Sequence, residues 1–272
     1  MKRHSHLWLW IGICSVTSLV QASIIDNQID NGIQKIHLQP KSPAIELPGE
    51  VDILTLMNVS DKDTGVSLVE GPIQQFPAFK FRQPYGNVPI LNSSEIRTAI
   101  NNSNGFTAVF VYRQQKNNLG TLLSVNSPGR LTPWFQLTSN SKTGLISLKY
   151  KLNSSEKLRQ MDWVSPRQQR KSPIAAWTWL ALTMDFNSDL VRLDLDCLPS
   201  IFESIKFRNK YSGINIPDDA LVYFRQEPGR KKKFLGSIQV AKVLPYITNR
   251  RLWACYQISK DSNLGVQKPI LE

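Results

Sequence analysis

The densest charge in the sequence is Arg230-Lys231-Lys232-Lys233, four adjacent cations set between a Pro228-Gly229 turn and an apolar run from Phe234 to Leu244. Adjacent cations displayed on a turn suit one chemistry above others, the binding of a polyanion. Each ion pair releases counterions, so affinity falls steeply with salt. Arginine can add two parallel hydrogen bonds to a sulphate where lysine acts as a point charge. Between residues 200 and 260 there are 12 Lys and Arg against four acids, a local excess of +8 to which Arg225, Lys242, Arg250 and Arg251 contribute. A second basic stretch holds Arg167, Arg170 and Lys171. The competing reading is a solvated run that keeps a sheet edge from pairing with other chains, since lysine at edges has that effect. The size of the local excess favours binding.

Other chemistries meet obstacles. The sequence has three histidines, and His4 and His6 fall in an N-terminal segment read below as removed, leaving His37 in a lead-in without periodicity. A Ser-His-Asp or Cys-His site needs a histidine base held against a nucleophile, and a histidine-rich zinc site needs several imidazoles. Carboxylates are the better enzymatic competitor, because a glycosidase needs two acids flanking a sugar bond. Asp194 and Asp196 share a strand face, but no Glu accompanies them as acid, and nearby Arg192 on that face is placed to neutralise them. The same pair, or Asp218 and Asp219, could hold calcium, yet that ion wants six to eight oxygens. Adjacent acids alone supply too few, so no metal ligands are assigned. Trp163, Trp177, Trp179 and Trp253 could stack on sugars, but Trp177 and Trp179 open a strand and are expected in the core.

The elements that carry these groups begin after residue 22. Lys2 and Arg3 precede an apolar stretch from Leu7 to Val20, and Val20-Gln21-Ala22 ends it as a small-residue cleavage site, so residues 1–22 read as a secretory signal peptide. No later segment is apolar enough to cross a bilayer. Cleavage leaves 31 Lys and Arg against 21 Asp and Glu, a net charge of +10, and removes Cys14. Cys197 and Cys255 remain and allow one intramolecular pairing in an oxidising compartment. A bridge closing that loop would restrict the unfolded chain by about 4 kcal/mol in the chain-entropy treatment. Four acceptors for N-glycosylation agree with export: Asn58, Asn92, Asn101 and Asn153, each two residues before a serine. An exported protein meets no nucleic acid in normal service. The polyanions available to its basic surface are sulphated glycosaminoglycans and acidic lipid headgroups.

Residues 23–49 form a poorly structured lead-in with Pro40, Pro43 and Pro48, and structure is expected from about Glu50. Asp52 is placed to cap a short helix carrying Ile53, Leu54, Leu56 and Met57. From Phe106 onward the signals are β. Phe106, Ala108, Phe110 and Tyr112 fall on one face, and Thr107, Val109 and Val111 on the other, which predicts a strand buried on both sides. Similar runs follow at 120–125, 134–137, 145–150, 177–186, 190–197, 220–224 and 234–244, separated by turn formers. In the run 190–197, Val191, Leu193, Leu195 and Cys197 share a core face. Arg192, Asp194 and Asp196 are expected on a wet one. Many short strands with little helix predict an all-β sandwich of two antiparallel sheets.

The order of these features resembles a known group. The Asp-Ile-Leu-Thr-Leu opening at 52–56 and the Asp63-Thr64-Gly65-Val66 and Ala78-Phe79-Lys80-Phe81 segments come first. The 106–110 strand, Trp177, the Leu-Asp-Leu-Asp-Cys strand at 193–197, the Phe-Leu-Gly-Ser-Ile-Gln-Val segment at 234–240 and Cys255 follow in sequence. Together they resemble the thrombospondin N-terminal-like domain, a laminin G-like, concanavalin-like jelly-roll sandwich, and within that group the secreted NEL-like proteins. The resemblance covers roughly residues 50–258, leaving 259–272 as a C-terminal tail. It implies a disulfide between Cys197 and Cys255, no catalysis in this domain, and binding of heparin or heparan sulphate and of cell-surface receptor ectodomains in adhesion or signalling. Family chains continue into a coiled coil and cysteine-rich modules. This sequence ends at Glu272, so nothing of trimerisation or of those modules is carried over. The expected function is therefore a secreted, non-catalytic binding module that is not embedded in a membrane and needs no cofactor. A glycan-cleaving enzyme on the same sandwich, or a purely structural domain, is the alternative.

Overall fold

The computed structural model describes residues 49–73, 76–82, 90–165, 177–196, 198–205 and 213–248. Several sequence expectations lie outside them: the signal peptide, the lead-in up to residue 48, the tail at 259–272, His37, Cys197, Cys255, Trp253, Arg167, Arg170, Lys171, Arg250 and Arg251. The described chain opens with β1 (Val51–Asp52), α1 (Ile53–Leu56), β2 (Val66–Glu70), β3 (Pro77–Phe81) and α2 (Ser94–Ile100). Then come β4 (Gly105–Gln114), β5 (Leu119–Asn126), β6 (Pro133–Asn140), β7 (Leu145–Tyr150) and β8 (Arg159–Val164). It closes with β9 (Thr178–Asp185), β10 (Leu190–Leu195), β11 (Ile201–Ser204), β12 (Leu221–Phe224) and β13 (Gly236–Leu244).

These strands form a sandwich of two antiparallel sheets. The larger runs β11-β10-β9-β4-β13-β3-β2, with β1 also on β13, and the smaller runs β12-β5-β6-β7-β8. Alternation builds the core between them. Phe106, Phe110, Leu182, Leu193 and Ile238 of the larger sheet meet Leu123, Phe135, Leu137, Leu148 and Phe224 of the smaller. Phe106 and Phe135 pack edge to face at 5.4 Å, and Tyr112 and Phe234 at 5.5 Å, the arrangement that ring quadrupoles favour. As its residue pattern predicts, β4 is buried on both faces. Its second face puts Val111, with Val109 packed beside it, into a smaller cluster with Ile73, Ala78, Trp177, Trp179 and Val240. That cluster is roofed by the segment after β2. Gln239, at an irregularity in β13, accepts from Ile73 N at 3.0 Å and donates to the Ile73 carbonyl at 2.9 Å.

The expected short helix is present, with the Asp52 carboxylate accepting from Thr55 N at 3.1 Å. The structure differs in where strands begin. Strands β1, β2 and β3 form ahead of Phe106, and β8 and β11 fall where no apolar run marks a strand. β2, β8 and β11 are edge strands whose exposed residues interrupt the apolar pattern. The wet face of β10 is a second correction. Asp194 is 4% exposed and Asp196 7%. After β13 the chain crosses the outer face of the larger sheet, where Thr107 Oγ1 donates to the Tyr246 carbonyl at 3.0 Å and Arg192 donates to that of Thr248.

Register fixes which loops share an end. Gly236 pairs with both Gln114 and Phe81, Tyr112 with Thr178, and Leu119 with Asn140. Residues 115–118, 141–144 and 225–235 therefore gather at one end, and residues 127–132 and 151–158 at the other.

Candidate functional site

The run at 230–233 sits on the connection from β12 in the smaller sheet to β13 in the larger. Glu227 N donates to the Lys231 carbonyl at 2.9 Å, closing a tight loop around a 3-10 turn at Pro228–Arg230. Gly229 has φ 73°, as the turn requires, and nothing lies near its missing side chain. Arg230 and Lys232 also take left-handed φ, 59° and 41°, a region that costs a side-chain-bearing residue about 1–2 kcal/mol. The arrangement displays Arg230, Lys231 and Lys232 to solvent and leaves Lys233 half-buried. Lys232 Nζ pairs with Glu227 at 2.8 Å.

The left-handed turn has a measurable consequence. Arg230→Gly is expected to leave the protein about 1 kcal/mol more stable than Arg230→Ala, because only glycine adopts this φ freely. Urea denaturation of the two variants measures the difference. Equal midpoints would show that the loop does not need the left-handed geometry.

The base of the loop is held from inside and outside. Phe234 N donates to the Arg225 carbonyl at 2.8 Å, and Thr121 N to the Lys232 carbonyl at 2.8 Å. Asn118 donates through Nδ2 to the Lys233 carbonyl and accepts from Leu235 N through Oδ1, both at 3.0 Å. This close approach to β5 is why Gly120 is glycine. A Cβ there would lie 2.6 Å from Phe234 Cα.

Two expected surface cations are corrected. Arg225 is 3% exposed; its guanidinium donates to the Phe234 carbonyl at 2.9 Å and lies 3.6 Å from the centre of the Phe81 ring. Burial pushes its pKa down to about 9, so it is still charged at neutral pH. Lys242 lies far along β13 and pairs with Glu50, both side chains largely out of solvent. Neither joins the displayed run.

The acids are engaged elsewhere. Asp194 pairs with Arg192 at 2.9 Å and accepts from Ser200, while Asp196 accepts from Trp179 N at 3.0 Å. They brace the outer face of the larger sheet. Asp218 and Asp219 are exposed in a turn closed by Ala220 N to the Pro217 carbonyl at 3.1 Å. Among the described residues no group of three or more His, Cys, Asp and Glu is arranged to hold a metal, and no helix is long and apolar enough to cross a membrane. Trp163, Trp177 and Trp179 are buried. Of the glycosylation acceptors, Asn58 and Asn92 are exposed and Asn153 half-buried. Asn101 turns its amide into the protein, where Nδ2 donates to the Ile216 carbonyl at 3.0 Å and Oδ1 accepts from Ile216 N at 2.9 Å.

No protein-family model matches the chain. By sequence it is similar to thrombospondin-2 of Mus musculus and of Gallus gallus, each 21% identical over 191 residues that cover 69% of this chain. The chain spans 15% of the length of these relatives. The similarity falls in their N-terminal laminin G-like region, in agreement with the resemblance carried by the sequence motifs. Its fold is similar to that of the botulinum neurotoxin serotype G binding domain, with a TM-score of 0.50 and 12% identity over 74% of this chain and 46% of that one.

Proposed function

We propose that this chain is a secreted, non-catalytic extracellular module that binds heparan sulphate or heparin through the loop at 230–233. On this reading it also presents its sandwich to a cell-surface receptor ectodomain in adhesion or signalling. The observation that carries the reading is the loop itself. Three exposed cations stand on a turn whose base is fixed by Arg225, Thr121 and Asn118, so little order has to be gained on binding a sulphated chain. Similarity to an extracellular protein and the signal-like N-terminus support the location. Arg167, Arg170, Lys171, Arg250 and Arg251 belong to the proposal by sequence alone. The enzymatic alternative is not favoured, because Asp194 and Asp196 are buried and bonded to the sheet.

The test compares elution of the purified chain from heparin and from a cation exchanger of matched charge density. Wild type is expected to need more salt on heparin. With Arg230, Lys231, Lys232 and Lys233 all changed to Ala, that margin should disappear, and the slope of log affinity against log salt should fall by about one unit per cation that engages a sulphate. Identical behaviour of both proteins on both columns would identify the run as a solvated loop.

A further inference from the structure

The loop at 230–233 does not stand alone at its end of the sandwich. Lys116 is exposed on the 115–118 connection between β4 and β5, and Lys142 is exposed on the 141–144 turn between β6 and β7. Neither belongs to a charge run, so neither is conspicuous in the sequence. Resting on the heparan sulphate reading above, we propose that the sulphate-binding surface spans all three loops, with Lys116 and Lys142 as two of its ligands.

The side chain that joins the loops is Asn118. It carries the two bonds to the Lys233 carbonyl and Leu235 N already described, while its own backbone N donates to Ser141 Oγ at 3.0 Å. Ser141 N returns a bond to the Asn118 carbonyl at 3.0 Å, and Ser141 Oγ donates to the Gln115 carbonyl at 2.6 Å. Gln115 N donates to the Leu235 carbonyl at 2.8 Å. The three connections are thus one hydrogen-bonded unit. Their tips are set as well: Asn117 takes φ 56°, and Asn140 Oδ1 accepts from Lys142 N at 3.0 Å.

The chemistry of the partner favours such a surface. A sulphated glycosaminoglycan carries anions on successive sugars, and affinity accumulates with the number of cations that meet them at once. A single tight turn displays only Arg230, Lys231 and Lys232, and Lys232 is partly neutralised by Glu227. Two of the three loops cross between the sheets, whose layers in sandwiches lie about 10 Å apart, and the third joins neighbouring strands of the smaller sheet. Cations on all three cover both layers. Among the described residues the other acids at this end, Asp61 and Asp63, lie on the loop before β2, where Asp63 accepts from Ser60 N at 2.9 Å.

The experiment uses the full chain and the two columns described above, with a second pair of variants. Lys116→Ala/Lys142→Ala removes the proposed ligands. Arg130→Ala/Lys157→Ala removes two exposed cations from the opposite end and matches the change in net charge. The first pair is expected to lose much of the heparin-specific margin and about two units of salt slope, with Arg230 to Lys233 intact. The second should shift both columns equally. Equal behaviour of the two pairs would overturn the three-loop surface while leaving the loop at 230–233 as the site. Absence of a heparin margin in wild type would overturn both.

Discussion

Changing Arg225 to Ala is expected to destabilise the protein by about 2–4 kcal/mol, whereas changing it to Met should leave stability within about 1–2 kcal/mol of wild type. Both substitutions strand the Phe234 carbonyl that the guanidinium now satisfies, and alanine in addition empties the space beside the Phe81 ring. Methionine fills most of that volume and removes a charge that burial penalises. The penalty has a defined sign with pH. The folded pKa, about 9, lies below the ordinary value of an arginine, so above pH 9 the unfolded chain holds more protons than the folded one and stability rises with pH. Wild type should therefore gain on Arg225→Met by roughly 1 kcal/mol between pH 7 and pH 10, read from urea denaturation of both proteins. Because Arg225 faces inward, Arg225→Met should also keep the heparin margin. A methionine variant that folds normally yet loses that margin would mean the guanidinium meets the glycan.

The contrast between Arg225 and its neighbours shows what the sequence carries and what it does not. Alternation made the middle of β4, Phe106 to Tyr112, legible, because a strand buried on both faces is largely apolar on both, and left out its ends at Gly105 and Arg113–Gln114. Asp52 announced α1 because a capping carboxylate acts through a local bond. Arg225 reads as one more cation in a basic region. Only the left-handed turn at φ 62° and the pairing of Phe234 with its carbonyl carry the chain around its guanidinium. Asp194 and Asp196 mislead for a related reason. Their spacing places them opposite the core, but it says nothing of Trp179, of Ser200, or of the 245–248 segment crossing that face. Periodicity reports which side of a strand a residue occupies. What covers that side is set by partners distant in sequence, which is also why Lys116 and Lys142 are visible only once the loops are assembled.

We propose that Cys197 and Cys255, both outside the described residues, form the disulfide that the sequence resemblance implies, and that its loss costs about 2–5 kcal/mol. The nearest described groups make the pairing reachable. Arg192 of β10 donates to the Thr248 carbonyl, bringing the chain after β13 against that strand. Cys197 lies five residues past Arg192, at most about 17 Å and less because β10 ends at Leu195 and Asp196 turns at φ 53°, and the seven residues from Thr248 to Cys255 can span at most roughly 23–25 Å. The second span exceeds the first, so the tether at Thr248 permits the bridge without being broken. The bond would then link Cys255 to the residue that follows Asp196, next to the outer face where Asp194 and Asp196 are bonded. Two measurements bear on it. Peptide mapping without reduction should recover the two cysteines in one linked pair, and Cys197→Ser/Cys255→Ser should unfold at clearly lower urea. Free alkylated thiols in the unreduced protein, or an unchanged midpoint in the double variant, would leave the outer face held by Arg192 and its neighbours alone.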